Sequence, residues 1–265
     1  MYHLVHIPSP ANSDTFITAI WTPDGVDSAN YGVAVFLHGR RPGEEAFTAA
    51  ALEQRYPWKD EIQRLANQHR CLMVIPLMGN KAHLDSPIDP TVRHAQFLGR
   101  ELIPWLTQQF KFIPQRSRHT ISGFSMGGTG AINIVARFPE TFSIGINFGG
   151  NTDPAFQAIA NHKSPPAENV LGPYPASEAH YKEWASEHAI DLLQHRQDVA
   201  LGFGCGVEDS RLDWIRRSYA HAQEQGLCSG YIEFPGDHHY NWTDMAAQLS
   251  LAELLRGRMV KESLT

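Results

Sequence analysis

The segment Gly123-Phe124-Ser125-Met126-Gly127-Gly128 places one serine between glycines in the spacing G-x-S-x-G. The run His119-Thr120-Ile121-Ser122 before it reads as a short strand, and Gly127–Phe138 after it carries a helical pattern. A serine on so tight a strand-to-helix turn holds its hydroxyl clear of a sheet, and Gly123 and Gly127 remove side chains where helix and strand cross closely. The helix N-terminus then faces the reacting centre, where free N–H groups favour developing negative charge. The pattern suits a nucleophile for acyl transfer.

A serine hydroxyl needs a base, and the base needs an orienting acid. In chain order the acid comes next and the histidine last. The loop Cys205-Gly206-Val207-Glu208-Asp209 follows an apolar run at 199–204, and Pro235-Gly236-Asp237-His238-His239-Tyr240-Asn241-Trp242 follows another at 229–234. Loops at the carboxyl ends of such strands lie beside the elbow in an open α/β sheet. Asp209 comes 84 residues after Ser125 and His238 a further 29 on. Spacing alone does not choose between Glu208 and Asp209, or between His238 and His239. The tetrahedral intermediate needs two pre-aimed N–H groups. The residue after the nucleophile, Met126, supplies one, and the turn Leu37-His38-Gly39-Arg40 supplies the other from Arg40. His38 precedes the serine, so it shapes that turn rather than acting as the base.

The elements that must position these residues alternate between apolar runs and helical patterns, which predicts an α/β fold with a mostly parallel sheet. Strands are expected at 3–7, 15–21, 32–37, 71–76, 119–122, 142–148, 199–204 and 229–234. Helices are expected at 60–69, 91–110 with a kink at Pro104, 127–138, 212–225 and 245–256. Residues 151–195 are rich in Pro, His and aromatics without a clear strand and read as a cap-like insertion in a single domain spanning 1–265. Tyr174, Tyr181 and Trp184 from that insertion, together with Tyr240 and Trp242, are candidates to line a substrate pocket, and His38 and Gly39 are further substrate-binding candidates. Arg40 and Arg41 stand beside it.

The chain has 265 residues, of which 42% are hydrophobic and 19% charged, enough to bury a core and against disorder. Its 22 Lys and Arg against 28 Asp and Glu give a net charge of −6, which argues against nucleic acid and anionic membranes as partners. No apolar run has transmembrane length and no signal peptide is read at the start. Three widely spaced cysteines point to free thiols in a reducing compartment, and the cytoplasm is the expected location. H-E-x-x-H and C-x-x-C spacings are missing, as is G-x-G-x-x-G after the first strand, so neither a metal nor a dinucleotide cofactor is expected. A homodimer is the default assembly.

Taken together, Phe36-Leu37-His38-Gly39, Glu101-Leu102-Ile103-Pro104, Ile121-Ser122-Gly123-Phe124-Ser125-Met126-Gly127-Gly128, Arg137-Phe138-Pro139-Glu140-Thr141-Phe142, Gly206-Val207-Glu208-Asp209 and Pro235-Gly236-Asp237-His238 resemble the "putative esterase" family of α/β-hydrolases. That family includes the esterase D or S-formylglutathione hydrolase group, tributyrin-type esterases and mycolyltransferases. The resemblance runs over roughly residues 30–250. It implies an α/β-hydrolase fold and hydrolysis of short acyl esters or thioesters without a cofactor. It assigns the triad acid to Asp209 and the base to His238. The chain departs from the pattern in two places. Trp242 stands four residues after His238 where many members place a tryptophan five after, and Arg40 and Arg41 follow His38-Gly39 where many members are apolar. An acyltransferase with the same triad, or a non-catalytic binding protein of this fold, are the alternative functions.

Overall fold

The computed structural model describes residues 1–25, 31–40, 48–150 and 165–262. Eight strands form one sheet: β1 (Tyr2–Ser9), β2 (Asp14–Trp21), β3 (Gly32–Leu37), β4 (Cys71–Pro76), β5 (His119–Phe124), β6 (Ile144–Phe148), β7 (Ala200–Gly206) and β8 (Cys228–Phe234). Their spatial order is β1-β2-β4-β3-β5-β6-β7-β8. β1 and β2 are antiparallel to their neighbours, and every pairing from β4 to β8 is parallel. Parallel strands are covered on both faces, which is why β3 and β4 are apolar at every position and buried throughout.

Alternate residues of β3 feed opposite layers. Val33, Val35 and Leu37 join a cluster with Leu98, Leu102, Ile132 and Val135. Ala34 and Phe36 join one with Ile62, Leu65, Met245 and Leu249. The helices that close these layers are α1 (Ala49–Arg55), α2 (Lys59–His69), α3 (Leu102–Phe110), α4 (Met126–Arg137), α5 (Pro165–Leu171), α6 (Glu178–Glu183), α7 (Ser186–Leu192), α8 (Leu212–Glu224) and α9 (Trp242–Glu262). Buried Ile62, Leu65 and Ala66 on α2 show the i, i+3, i+4 spacing of a helix laid on a sheet.

The long helical pattern at 91–110 is one run of three pieces. A turn at His94–Gln96 passes into a π-helical turn at Phe97–Glu101 and then α3. The irregularity lies before Pro104 rather than at it. Proline has no N–H for the carbonyl four residues back and its ring crowds that carbonyl, and the wider turn, in which Leu102 N–H bonds Phe97 C=O, relieves both.

Residues 151–164 lie outside the described residues. In α5 to α7, Val170, Leu171, Tyr181, Trp184, Ala189 and Ile190 are buried in the same cluster as β3 and α4. These helices therefore pack as part of the main core. No helix among the described residues is long and apolar enough to cross a membrane.

Candidate active site

β5 delivers Ser125 directly to the start of α4. Its backbone sits at φ 56°, ψ −122°, a region L-residues avoid and hold only where their surroundings enforce it. The enforcement is visible. Ser125 N–H donates to Phe148 C=O at the end of β6 (2.9 Å), while the Ser125 carbonyl accepts the N–H groups of Gly128 (2.9 Å) and Thr129 (3.2 Å). A β-carbon on Gly127 would run into the Leu37 carbonyl of β3, so α4 crosses that strand with no room for a side chain. The N–H groups of Met126 and Gly127 lie in the first turn of α4, where helical N–H groups have no intrahelical carbonyl to meet.

The loops after β7 and β8 bring the other two groups. Asp209 follows a turn closed by its own N–H to Gly206 C=O (3.1 Å), and its side chain is 1% exposed. Its neighbour Glu208 is exposed. Asp209 Oδ2 accepts a hydrogen bond from His238 Nδ1 at 2.6 Å, and Ser125 Oγ stands 3.0 Å from His238 Nε2. A carboxylate only accepts, so Nδ1 carries the proton and Nε2 is free to accept from the serine hydroxyl. His239 is 88% exposed and faces Asp237 instead. The structure thus joins Ser125, His238 and Asp209 in one hydrogen-bonded chain and leaves Glu208 and His239 outside it.

Electrostatics suit these partners. Burial pulls His238 below its ordinary value of 6.5, against the hydrogen bond and charge of Asp209, and the Arg211 and His239 charges lower it further. The ring is therefore neutral near pH 7. Burial would raise the Asp209 carboxyl, but hydrogen bonds from His238 and from Arg211 N–H, with their charges, outweigh it and hold it below its ordinary value. Arg211 N–H reaches Asp209 Oδ1 at 2.9 Å and its guanidinium the same oxygen at 3.4 Å. Phe124 stacks on the imidazole with ring centroids 4.4 Å apart and on Tyr240 at 5.1 Å, which fixes the ring plane.

The remaining expected site residues divide. Gly39 packs on the elbow: a β-carbon there would stand 3.3 Å from Ser125 Cβ. Arg40 follows it, exposed; Arg41 lies outside the described residues. His38, expected at the substrate pocket, lies buried behind the loop. Its ring is 3% exposed and both nitrogens are committed to backbone, one to Gly39 C=O and one to Met78 N–H. Trp184, also expected at the pocket, is buried too. It is 5% exposed, with the Arg137 guanidinium 3.8 Å from its ring centroid and its carbonyl bonded to Asn133. Asn133 is eight residues beyond Ser125, about 12 Å along α4. Tyr181 is fully buried with its hydroxyl on Gly172 C=O, and Tyr174 packs edge-on against it. Trp184 packs against α4, and Tyr174 and Tyr181 pack against one another in the core beside it. Trp242 opens α9 with Arg64 of α2 over its ring at 6.0 Å. The spacing of motifs gave no notice of Arg211 or the Phe124 stack; the x position of G-x-S-x-G was the only hint of the latter.

The family model described as "Putative esterase" matches residues 15–253. The chain belongs to that esterase family. It is a hydrolase. Among curated proteins no relative matches this esterase. Solved structures do. A Staphylococcus aureus fluorophosphonate-binding serine hydrolase, FphF, is similar at TM-score 0.75 and 17% identity, over 96% of this chain and 98% of that one. A ferulic acid esterase gives 0.72 at 19% identity, over 97% and 98%. An S-formylglutathione hydrolase from Agrobacterium tumefaciens gives 0.67 at 20% identity, over 98% and 95%. The esterase therefore has the α/β-hydrolase fold, with likeness across nearly the whole chain.

Proposed function

We propose that this esterase hydrolyses short-chain acyl esters or thioesters through a covalent acyl-serine. The observation that carries the reading is the Asp209–His238–Ser125 hydrogen-bond chain ending on a strained serine at a helix N-terminus.

In this mechanism His238 Nε2 takes the Ser125 proton as Oγ attacks the substrate carbonyl carbon. The carbonyl oxygen gains negative charge, and the N–H groups of Met126 and Arg40 receive it. Asp209 holds the tautomer and stabilises the imidazolium that forms. The imidazolium returns its proton to the leaving alcohol or thiol as the bond to it breaks, leaving the acyl group on Oγ. Water, deprotonated by His238, then attacks the acyl carbon, and release of the acid returns the proton to Ser125.

The test is a series of p-nitrophenyl esters from acetate to longer chains, run on wild type and Ser125→Ala. Wild type turns over acetate or butyrate, and the variant loses at least about three orders of magnitude in kcat. No turnover of any ester by either protein, with no fluorophosphonate labelling of Ser125, would overturn the reading.

A further inference from the structure

The loop after β3 is held from behind by two buried imidazoles. His38 Nε2 accepts the Met78 N–H at 3.2 Å, so its proton is on Nδ1, which donates to Gly39 C=O at 2.8 Å. In a trans peptide the carbonyl of one residue and the N–H of the next lie in one plane and point opposite ways. Anchoring the Gly39 carbonyl therefore dictates where the Arg40 N–H points. The preceding peptide is anchored the same way. His83 Nε2 lies 3.0 Å from the His38 carbonyl, which can only accept, so Nε2 carries the proton and fixes the plane that holds the Gly39 N–H. The two rings meet edge to face at 4.8 Å.

His83 is itself over-determined. It is fully buried, yet its backbone is left-handed at φ 58°, a conformation a non-glycine residue keeps only at a cost. Its Nδ1 has no hydrogen-bond partner among the described residues. Its Cβ leans on α4, where a β-carbon on Gly130 would stand 2.9 Å from it. His83 thus touches both sources of the two N–H groups: the helix begun by Met126 and the loop that carries Arg40. Burial holds it neutral, down to about 4, so it remains a donor of fixed tautomer wherever His238 is active as a base.

We infer that His83 is a positioning residue for the hydrolysis: by fixing the His38–Gly39 peptide through the His38 carbonyl, it holds the start of the loop whose next peptide carries the Arg40 N–H toward the oxyanion. This rests on the hydrolytic reading above and deepens it. Fully buried and bonded to backbone, it acts through the loop, and its effect is to be read in the transition state rather than in substrate binding.

The experiment compares wild type, His83→Leu, His83→Gln and Gly130→Ala on p-nitrophenyl butyrate, with an alkylboronic acid as the tetrahedral mimic. Removing one oxyanion donor outright costs about 10²–10³ in kcat, so tilting one costs about 10–100-fold. His83→Leu lowers kcat by that factor, leaves KM within about threefold, and weakens the boronic acid by a factor matching kcat/KM. His83→Gln, whose amide nitrogen can occupy the place of Nε2, restores most of the loss. Gly130→Ala pushes on His83 from the helix side, and its gain in helix propensity offsets part of the overpacking, so kcat falls in a protein that still folds. Wild-type kcat and boronic acid affinity in a folded His83→Leu protein overturn the inference. If that variant does not fold, wild-type kcat in Gly130→Ala overturns it instead. Turnover by wild type is read first: its absence overturns the hydrolytic reading itself, whereas wild-type turnover with unchanged variants overturns only the role of His83.

Discussion

Two sides of the site use histidine in opposite ways. On the β3 side, His38 and His83 are buried, neutral and bonded to backbone groups. On the β7 and β8 side, His238 is 28% exposed and bonded to a carboxylate that Arg211 also contacts. The first arrangement fixes dipoles and moves no proton. The second surrounds a group that must gain and lose one. A developing oxyanion is best met by dipoles that need no reorganisation, whereas an imidazolium needs a full opposite charge close by. Among the groups these histidines bond, charge is accordingly confined to the side where a proton travels.

Asp209→Asn tests this division most severely. It keeps the shape and removes the charge, and an amide nitrogen turned to His238 would favour the wrong tautomer. A fall in kcat of about four orders of magnitude on a p-nitrophenyl ester is expected. Glu208→Gln, one residue away but exposed, stays within about twofold. Equal losses in the two variants would break the comparison, because the acid would then act through the loop rather than through the imidazole.

The elbow between the two sides is held by close backbone packing. Gly127→Ala sets a β-carbon against the Leu37 carbonyl, and neither α4 nor β3 can give way as a flexible side chain could. A loss of about 3 kcal/mol in unfolding free energy is expected, read as a lower urea midpoint. A variant as stable as wild type would mean that the crossing of helix and strand is looser than the structure has it.

Much of this was legible before any coordinates. Strands β3 and β4 are six-residue apolar runs, and a parallel strand covered on both faces has little other way to read. The elbow was legible because its glycines serve a local crossing, so spacing carries the information. The choice between Glu208 and Asp209 was not, because it depends on how the turn after Gly206 bends, and adjacent residues differ only in direction. Family resemblance chose Asp209 and His238, and the hydrogen-bond chain joins the same two to Ser125. Trp184 and Tyr181 were not separable by type, because an aromatic residue has the same composition whether it walls a pocket or fills a core, and here both lie in the buried core cluster. His83 carried no signal at all. One histidine among 14, in a loop, is distinguished only by a backbone carbonyl brought to it from 45 residues earlier.

The smallest effect sharpens the comparison at its charged edge. Kcat/KM follows the neutral fraction of His238, so it rises with pH through the His238 value and levels above it. Since burial, with Arg211 and His239, holds that value below 6.5 against Asp209, the midpoint of the acid limb lies below 6.5. Arg211→Met removes a cation from the vicinity while keeping the backbone N–H that holds Asp209 Oδ1. Without the cation the imidazolium is easier to form, so the midpoint moves to higher pH. Asp209 loses one lowering influence but keeps its hydrogen bonds from His238 and the Arg211 position N–H, and so remains ionised. Because the guanidinium is partly exposed and screened, the change is modest: kcat/KM at pH 5.5 falls about two- to fivefold relative to pH 8, and less at high salt. A midpoint displaced to lower pH would contradict the sign. A uniform loss at all pH values would mean that Arg211 serves to place Asp209 rather than to tune His238, and the charged side would then be fixed in the same manner as the neutral one.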